Sequence, residues 1–147
     1  FISTEDLKNL IDKYHNESDV LIMNAAPVDF RIKKYSETKI KKHDEFKPEF
    51  VSNIDILKSI RKDKNKIYVG FSAETNNHEE NANKKLKDKS LDYIVLNDIS
   101  DKSYGIGSDF NKVDIYSKNG LLFKSEIKIK KTIAEEMISE LNKELLK

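Results

Sequence analysis

Three apolar runs, each ending in small or polar residues, constrain this chain most. They occupy residues 19–26 (DVLIMNAA), 66–73 (KIYVGFSA) and 91–97 (LDYIVLN). Each is too short to span a membrane. Each is also too continuous for a strand with one wet face, which would alternate apolar and polar positions. Such runs suit strands buried on both faces, as in a parallel sheet covered by helices. Helical patterns lie beside them. Ser3 and Asp6 have the spacing of a helix start, with a carboxylate near the positive end of the dipole. Leu7, Leu10, Ile11 and Tyr14 then share one face. Residues 78–89 read as a polar, mostly solvent-facing helix. Ile129, Ile133, Met137, Leu141 and Leu145 recur at steps of four, an amphipathic helix. The alternation of strand and helix predicts βαβ units and an α/β layered fold.

Residues 27–46 are polar and lysine-rich, lie between Pro27 and Pro48, and read as a loop. Phe50 and Val51 close a short strand. Asn53 caps a short helix that runs through about Arg61. Residues 98–111 form a loop containing Gly105 and Gly107. Residues 112–117 and 121–125 flank Lys118-Asn119-Gly120, a three-residue hairpin loop with a glycine free to take positive φ. There is no internal repeat, low-complexity tract or interdomain linker. The chain opens with a helix feeding a strand, whereas a doubly wound fold opens with a strand, and three parallel strands make a narrow sheet.

Composition removes several classes of function. The 147 residues contain no cysteine, which excludes a disulfide framework, a thiolate metal site and a cysteine nucleophile. His15, His43 and His78 are scattered singly, and Asp29, Asp55, Asp98 and Asp109 form no metal-ligand spacing, so no protein metal site is expected. Gly105-Ile106-Gly107 lacks the third glycine of a dinucleotide fingerprint, and there is no P-loop. The net charge is +1, which points to neither nucleic acid nor a membrane surface. Residues 1–20 are interrupted by Glu5, Asp6, Lys8, Asp12 and Lys13, unlike a signal peptide. A soluble cytoplasmic protein is the expectation. Of the 27 basic residues only Arg31 and Arg61 are arginine; the rest are lysine, most of them a solvated coat.

In an α/β sheet, ligands bind beyond the carboxyl ends of the strands. Those ends here read Asn24-Ala25-Ala26-Pro27-Val28-Asp29, Phe71-Ser72-Ala73-Glu74-Thr75-Asn76-Asn77 and Asn97-Asp98-Ile99-Ser100. All three are small or polar, which ordinary turn chemistry also explains, but together they suggest a site. Lys39-Ile40-Lys41-Lys42 lies beyond the first strand, where anions bind, and lysine suits phosphate as a compact point charge. Lys85 and Lys89 share one helical face and repel each other unless an anion lies between them. Phe71, where its strand leaves the sheet, is read either as core or as a platform for a base. These features give an α/β domain with lysines suited to an anionic ligand, and no reaction.

Several segments together resemble the phosphopantothenate–cysteine ligase family. Val69-Gly70-Phe71-Ser72-Ala73-Glu74-Thr75 is similar to the family's V-G-F-A-A-E-T. Glu80, Ala82, Lys84 and Lys85 follow in step. Leu91-Asp92-Tyr93-Ile94-Val95-Leu96-Asn97-Asp98-Ile99-Ser100 is similar to L-D-x-I-V-x-N-D-V-S, and Gly107-Ser108-Asp109 with Asn111 to G-S-D-x-N. Upstream, Ala25-Ala26-Pro27-Val28-Asp29-Phe30 resembles A-A-V-A-D-Y/F, Lys39-Ile40-Lys41-Lys42 resembles K-I-K-K, and Asn53-Ile54-Asp55-Ile56-Leu57 resembles N-P-D-I-L. The matches are collinear over nearly the whole chain. Pro27, Val28 and Ile54 depart locally. The family's opening strand, its G-G/P-T loop and its S-N-x-S-S-G segment have no counterpart here.

The resemblance implies a Rossmann-like, three-layer α/β fold. It has a mostly parallel sheet and a C-terminal β-hairpin, and residues 1–147 form a single ligase domain lacking its N-terminal strands. It implies a role in coenzyme A biosynthesis. The carboxylate of 4′-phosphopantothenate attacks the α-phosphate of CTP, with ATP an open alternative, and L-cysteine then displaces CMP. Lys39 is implied as the catalytic and triphosphate-binding lysine. Nucleotide contacts fall to Asp29, Ile54, Asp55, Ile56, Leu57, Phe71, Lys85 and Lys89, and the substrate side to Asn24, Ala25 and Ala26. Mg²⁺ would ride on the triphosphate. FMN enters only if a decarboxylase half exists elsewhere in the parent. A homodimer is implied, with sites near the subunit interface. Two rival readings stay open: a non-catalytic nucleotide-binding α/β module, and a structural oligomerisation piece.

Overall fold

The computed structural model describes residues 1–39, 47–101 and 103–145. A capping box starts helix α1 (Thr4–Tyr14): the Asp6 backbone N–H donates to the Ser3 hydroxyl, and the Ser3 N–H donates to the Asp6 carboxylate. A single 3₁₀ turn at His15–Glu17 leads into strand β1 (Val20–Met23). There follow β2 (Phe30–Ile32), β3 (Phe50–Ser52), α2 (Ile56–Ser59), β4 (Ile67–Glu74), α3 (His78–Asp88) and β5 (Tyr93–Asp98). The chain closes with β6 (Phe110–Asn111), β7 (Val113–Ser117), β8 (Gly120–Lys124), β9 (Lys128–Ile129) and α4 (Lys130–Leu145).

The main sheet has five strands in the order β1-β4-β5-β7-β8. β1, β4 and β5 run parallel; β7 is antiparallel to β5, and β8 to β7. Alternation along the strands sorts their side chains into two clusters. On one face Met23, Tyr68, Ile94, Leu96 and Tyr116 meet Leu7 of α1, Ile56 and Leu57 of α2, and Ala82 and Leu86 of α3. On the other, Val69, Val95, Val113 and Ile115 pack on Ile133, Met137 and Leu141 of α4. Helices thus cover both faces, and the expected three-layer α/β architecture is what forms. The first cluster closes tightly at Gly70, where a Cβ would lie 2.7 Å from Leu91 Cδ1.

Several local expectations are corrected. Residues 27–46 are not all loop, because β2 forms there and pairs antiparallel with β3, Phe30 opposite Ser52 and Ile32 opposite Phe50. Asp55, not Asn53, caps α2 by accepting from the Lys58 N–H, and that helix ends at Ser59. Asn53 is used elsewhere: its side chain donates to the Val28 carbonyl and its backbone N–H to the Asp29 carbonyl, both at 2.7 Å, so the two loops are stitched together. β1 is an edge strand rather than one buried on both faces, and Ile22 is 36 % exposed. The hairpin turn is two residues, Lys118 and Asn119, because Gly120 (φ 106°) already pairs with Ser117. Ile129 ends β9, and the last helix begins at Lys130.

Candidate functional site

A cleft of about 290 Å³ opens beyond the carboxyl ends of β1 and β4. The turn after β1 supplies Asn24, Ala25, Ala26, Pro27, Val28 and Asp29. The approach to α2 supplies Asn53, Ile54 and Asp55, and α2 itself Ile56 and Leu57. β4 contributes Phe71, Ser72 and Ala73, the C-cap of α3 contributes Lys89, and β5 contributes Asn97. On the far side of Ala26–Val28 lies a second, wider hollow bounded by α1, Arg31 and Ser52. The turn after β1 is therefore a wall with space on both sides.

Two lysines frame the cleft differently. Lys89 Nζ lies 3.0 Å from the Asp55 carboxylate and stands in the lining. Lys85, one turn earlier, is held behind it: its ammonium donates to Ser72 Oγ at 2.5 Å and to Glu74 Oε1 at 2.6 Å. Glu74 also accepts from Asn81 at 3.0 Å. Burial pushes the Glu74 carboxyl up, but the hydrogen bonds from Lys85, Ser72 and Asn81 and the Lys85 charge outweigh it and hold the carboxyl below its ordinary value. The two i, i+4 cations are thus each answered by a carboxylate of the chain itself.

The end of β5 carries a second network. Asn97 Nδ2 donates to the Ser72 carbonyl at 3.3 Å, and Asn97 Oδ1 accepts from Asn111 Nδ2 at 2.7 Å. The adjacent Asp98 points to the other face of the sheet. It accepts from the Ser100 N–H and hydroxyl and from Tyr104, and stands 3.6 Å from Lys112. His78 Nε2, buried and without a hydrogen-bond partner among the described residues, lies 3.9 Å from it. Burial raises the Asp98 carboxyl, but the Ser100 hydrogen bonds and the charges of His78 and Lys112 prevail and keep it low.

Of the residues expected in a site, Asn24, Ala25, Ala26, Asp29, Ile54, Asp55, Ile56, Leu57, Phe71 and Lys89 meet in this one cleft. Phe71, expected either as core or as a platform for a base, packs on the α4-side cluster and also lines the cleft. Lys85 does not line it. Lys39 is exposed and outside it, and Ile40, Lys41 and Lys42 lie outside the described residues. Asn53, Ser72, Ala73 and Asn97 line the cleft too, and their signal in the sequence is membership of the small or polar strand ends and of the capping segment. Among the described residues no three His, Asp or Glu side chains gather into a metal cage.

The family model described as the DNA/pantothenate metabolism flavoprotein C-terminal domain matches residues 1–145. The chain is 37% identical over 141 residues to the Coenzyme A biosynthesis bifunctional protein CoaBC of Bacillus subtilis, across 95% of this chain and 35% of that protein. It is 34% identical over 145 residues to a Cysteine/Cysteine sulfinic acid decarboxylase of an unknown prokaryotic organism, across 95% of this chain and 40% of that protein. The crystal structure of the C-terminal domain of CoaBC is similar at a TM-score of 0.76 and 30% identity, over 97% of this chain and 65% of that one. The chain spans well under half the length of these curated relatives.

Proposed function

The chain belongs to the DNA/pantothenate metabolism flavoprotein C-terminal domain family, and from that premise we propose that it is the nucleotide- and substrate-binding part of a phosphopantothenate–cysteine ligase of coenzyme A biosynthesis. The observation that carries this reading is the meeting, in one cleft, of residues from four separate segments: the turn after β1, the start of α2, the end of β4 and the end of α3.

In this reading a carboxylate oxygen of 4′-phosphopantothenate forms a bond to the α-phosphorus of CTP, and pyrophosphate leaves with its bridging oxygen. The amine of L-cysteine then attacks the acyl carbon. CMP departs, the amide forms and the ammonium proton is released. Such chemistry asks the protein for position and for charge placed where phosphate charge develops, rather than for a nucleophile. Phe71 offers the base an aromatic face, and Lys89 offers a phosphate an ammonium that Asp55 shares. Lys85, on the same helical face, becomes available if it exchanges Glu74 for phosphate. Asn24, Ala25 and Ala26 border the substrate side. Lys39 serves as the triphosphate lysine in this reading. Mg²⁺ enters with the triphosphate.

The reading includes a homodimer built on the β2–β3 ribbon. Phe30, Ile32 and Phe50 share one face of that ribbon and are 62 %, 50 % and 62 % exposed. A two-stranded ribbon alone in water is marginal, so an apolar partner face stabilises it. The reading is cytoplasmic; among the described residues no helix is long and apolar enough to cross a membrane.

The test uses the protein expressed from its complete gene, supplied with CTP, Mg²⁺, 4′-phosphopantothenate and L-cysteine, with ATP as a parallel arm. CMP and pyrophosphate are expected in step with amide product. Lys39→Ala is expected to cut turnover well over tenfold, from the ~2.7–4 kcal/mol typical of losing one electrostatic stabiliser. Nucleotide binding without turnover would instead support a non-catalytic module, and neither would refute both.

A further inference from the structure

We propose that Asn97 is a specificity-determining residue of the cleft, reading the hydrogen-bonding edge of the base whose ring lies on Phe71. This rests on the nucleotide-ligase reading above. The register of β4 and β5 pairs Phe71 with Val95 and Ala73 with Asn97. These four residues therefore project to one face of the sheet, and Asn97 is the diagonal neighbour of Phe71, within reach of one ring laid across both. Ala73, between them along β4, adds only a methyl group and leaves the space open. Both Phe71 and Asn97 line the cleft.

The orientation of the Asn97 carboxamide is set by its neighbours. Its Oδ1 accepts from Asn111 Nδ2 at 2.7 Å, and its Nδ2 donates to the Ser72 carbonyl at 3.3 Å. Asn111 is itself oriented, because its Oδ1 accepts from the Lys112 N–H at 2.9 Å. Flipping Asn97 would set two amino groups against each other and its oxygen against a carbonyl. A carboxamide has two N–H donors and two acceptor lone pairs. One N–H of Asn97 thus has no partner among the described residues. A fixed amide donor beside an aromatic face is suited to a ring carbonyl or ring nitrogen, the groups by which one base differs from another. Lys89 and Asp55, on another wall, answer each other's charge and carry no such pattern.

The experiment measures dissociation constants for CTP, UTP and ATP, each with Mg²⁺, by calorimetry on the protein from its complete gene. Wild type is compared with Asn97→Asp, which keeps the size and the acceptor for Asn111 but replaces the donor by an acceptor. The preferred nucleotide is expected to lose about tenfold in affinity, the low end of discrimination by an amide contact. The others lose less, so the preference ratio shrinks. Asn111→Ala, which frees the Asn97 amide to rotate, shifts the ratio in the same direction by less. It also carries the test if Asn97→Asp fails to fold. A purely structural role for Asn97 would weaken all three nucleotides equally. An equal loss, or unchanged ratios in both variants, overturns the proposal and leaves the ligase reading standing. A wild type that binds none of the three nucleotides overturns both.

Discussion

Lys89 Nζ lies 3.0 Å from Asp55 Oδ2, and the pair ties the end of α3 to the start of α2 across one wall of the cleft. Asp55 has two tasks there, since its other oxygen caps α2 by accepting from the Lys58 N–H. The repulsion expected between Lys85 and Lys89 is therefore relieved inside the chain, by Glu74 for one and Asp55 for the other. Both lysines are held in place by carboxylates of the chain itself.

Asp55→Asn separates the two tasks. Asparagine is as good an N-cap as aspartate, and a half-exposed ion pair contributes about 0–1 kcal/mol, so stability should change by less than ~1 kcal/mol. Asp55→Ala removes the cap as well and should cost about 1 kcal/mol more in urea unfolding. Lys89→Ala should leave stability nearly unchanged and weaken nucleotide binding by about tenfold, as expected for losing a charge-assisted contact. Nucleotide binding unaffected by Lys89→Ala would remove that residue from the site.

Gly70→Ala should destabilise by about 1–3 kcal/mol, the usual range for overpacking. The added methyl would stand 2.7 Å from Leu91 Cδ1 and 3.4 Å from Leu57 Cδ1, and Leu91 is fully buried. A urea midpoint equal to wild type would mean that Leu91 repacks freely.

The carboxyl of Asp98 is held below its ordinary value in the folded chain. Its stabilising contribution is therefore fully present above the unfolded value, about 3.9, and is lost as pH falls through the lower folded value. Asp98→Asn should reduce stability at neutral pH and flatten its fall in acid, seen as urea midpoints between about pH 5 and about pH 2. An equal acid slope in both proteins would show that other carboxylates dominate.

Much of this arrangement was legible in the sequence, and its limits have physical causes. The runs at residues 66–73 and 91–97 read as buried strands because β4 and β5 are covered on both faces. The run at 19–26 reads the same way, yet β1 lies at the sheet edge, and composition carries no record of position within a sheet. β2 escaped because Phe30-Arg31-Ile32 is short and sits among lysines, and its partner β3 is separated from it by the rest of the loop. The cleft was traceable because strand ends collect small and polar residues. The hydrogen bond between Asn97 and Asn111 was not, since it depends on how the loop from residue 99 to 109 folds back.

Replacing Phe30 or Phe50 by aspartate should convert a dimer into monomers, as read by light scattering after size-exclusion chromatography. Each substitution puts a charge on the one exposed apolar face of the β2–β3 ribbon. A wild type that is monomeric at high micromolar concentration would contradict the ribbon-mediated dimer.

The proposed reaction activates a carboxylate by transfer of a nucleotidyl group to it. It is tested most directly by supplying 4′-phosphopantothenate whose carboxylate carries a heavy oxygen isotope, together with CTP and L-cysteine, to the protein from its complete gene. Bond formation between that carboxylate and the α-phosphorus, followed by loss of CMP to the amine, predicts one labelled oxygen in the released CMP and none in pyrophosphate. Label found in inorganic phosphate, or CMP released without it, would rule out that reaction.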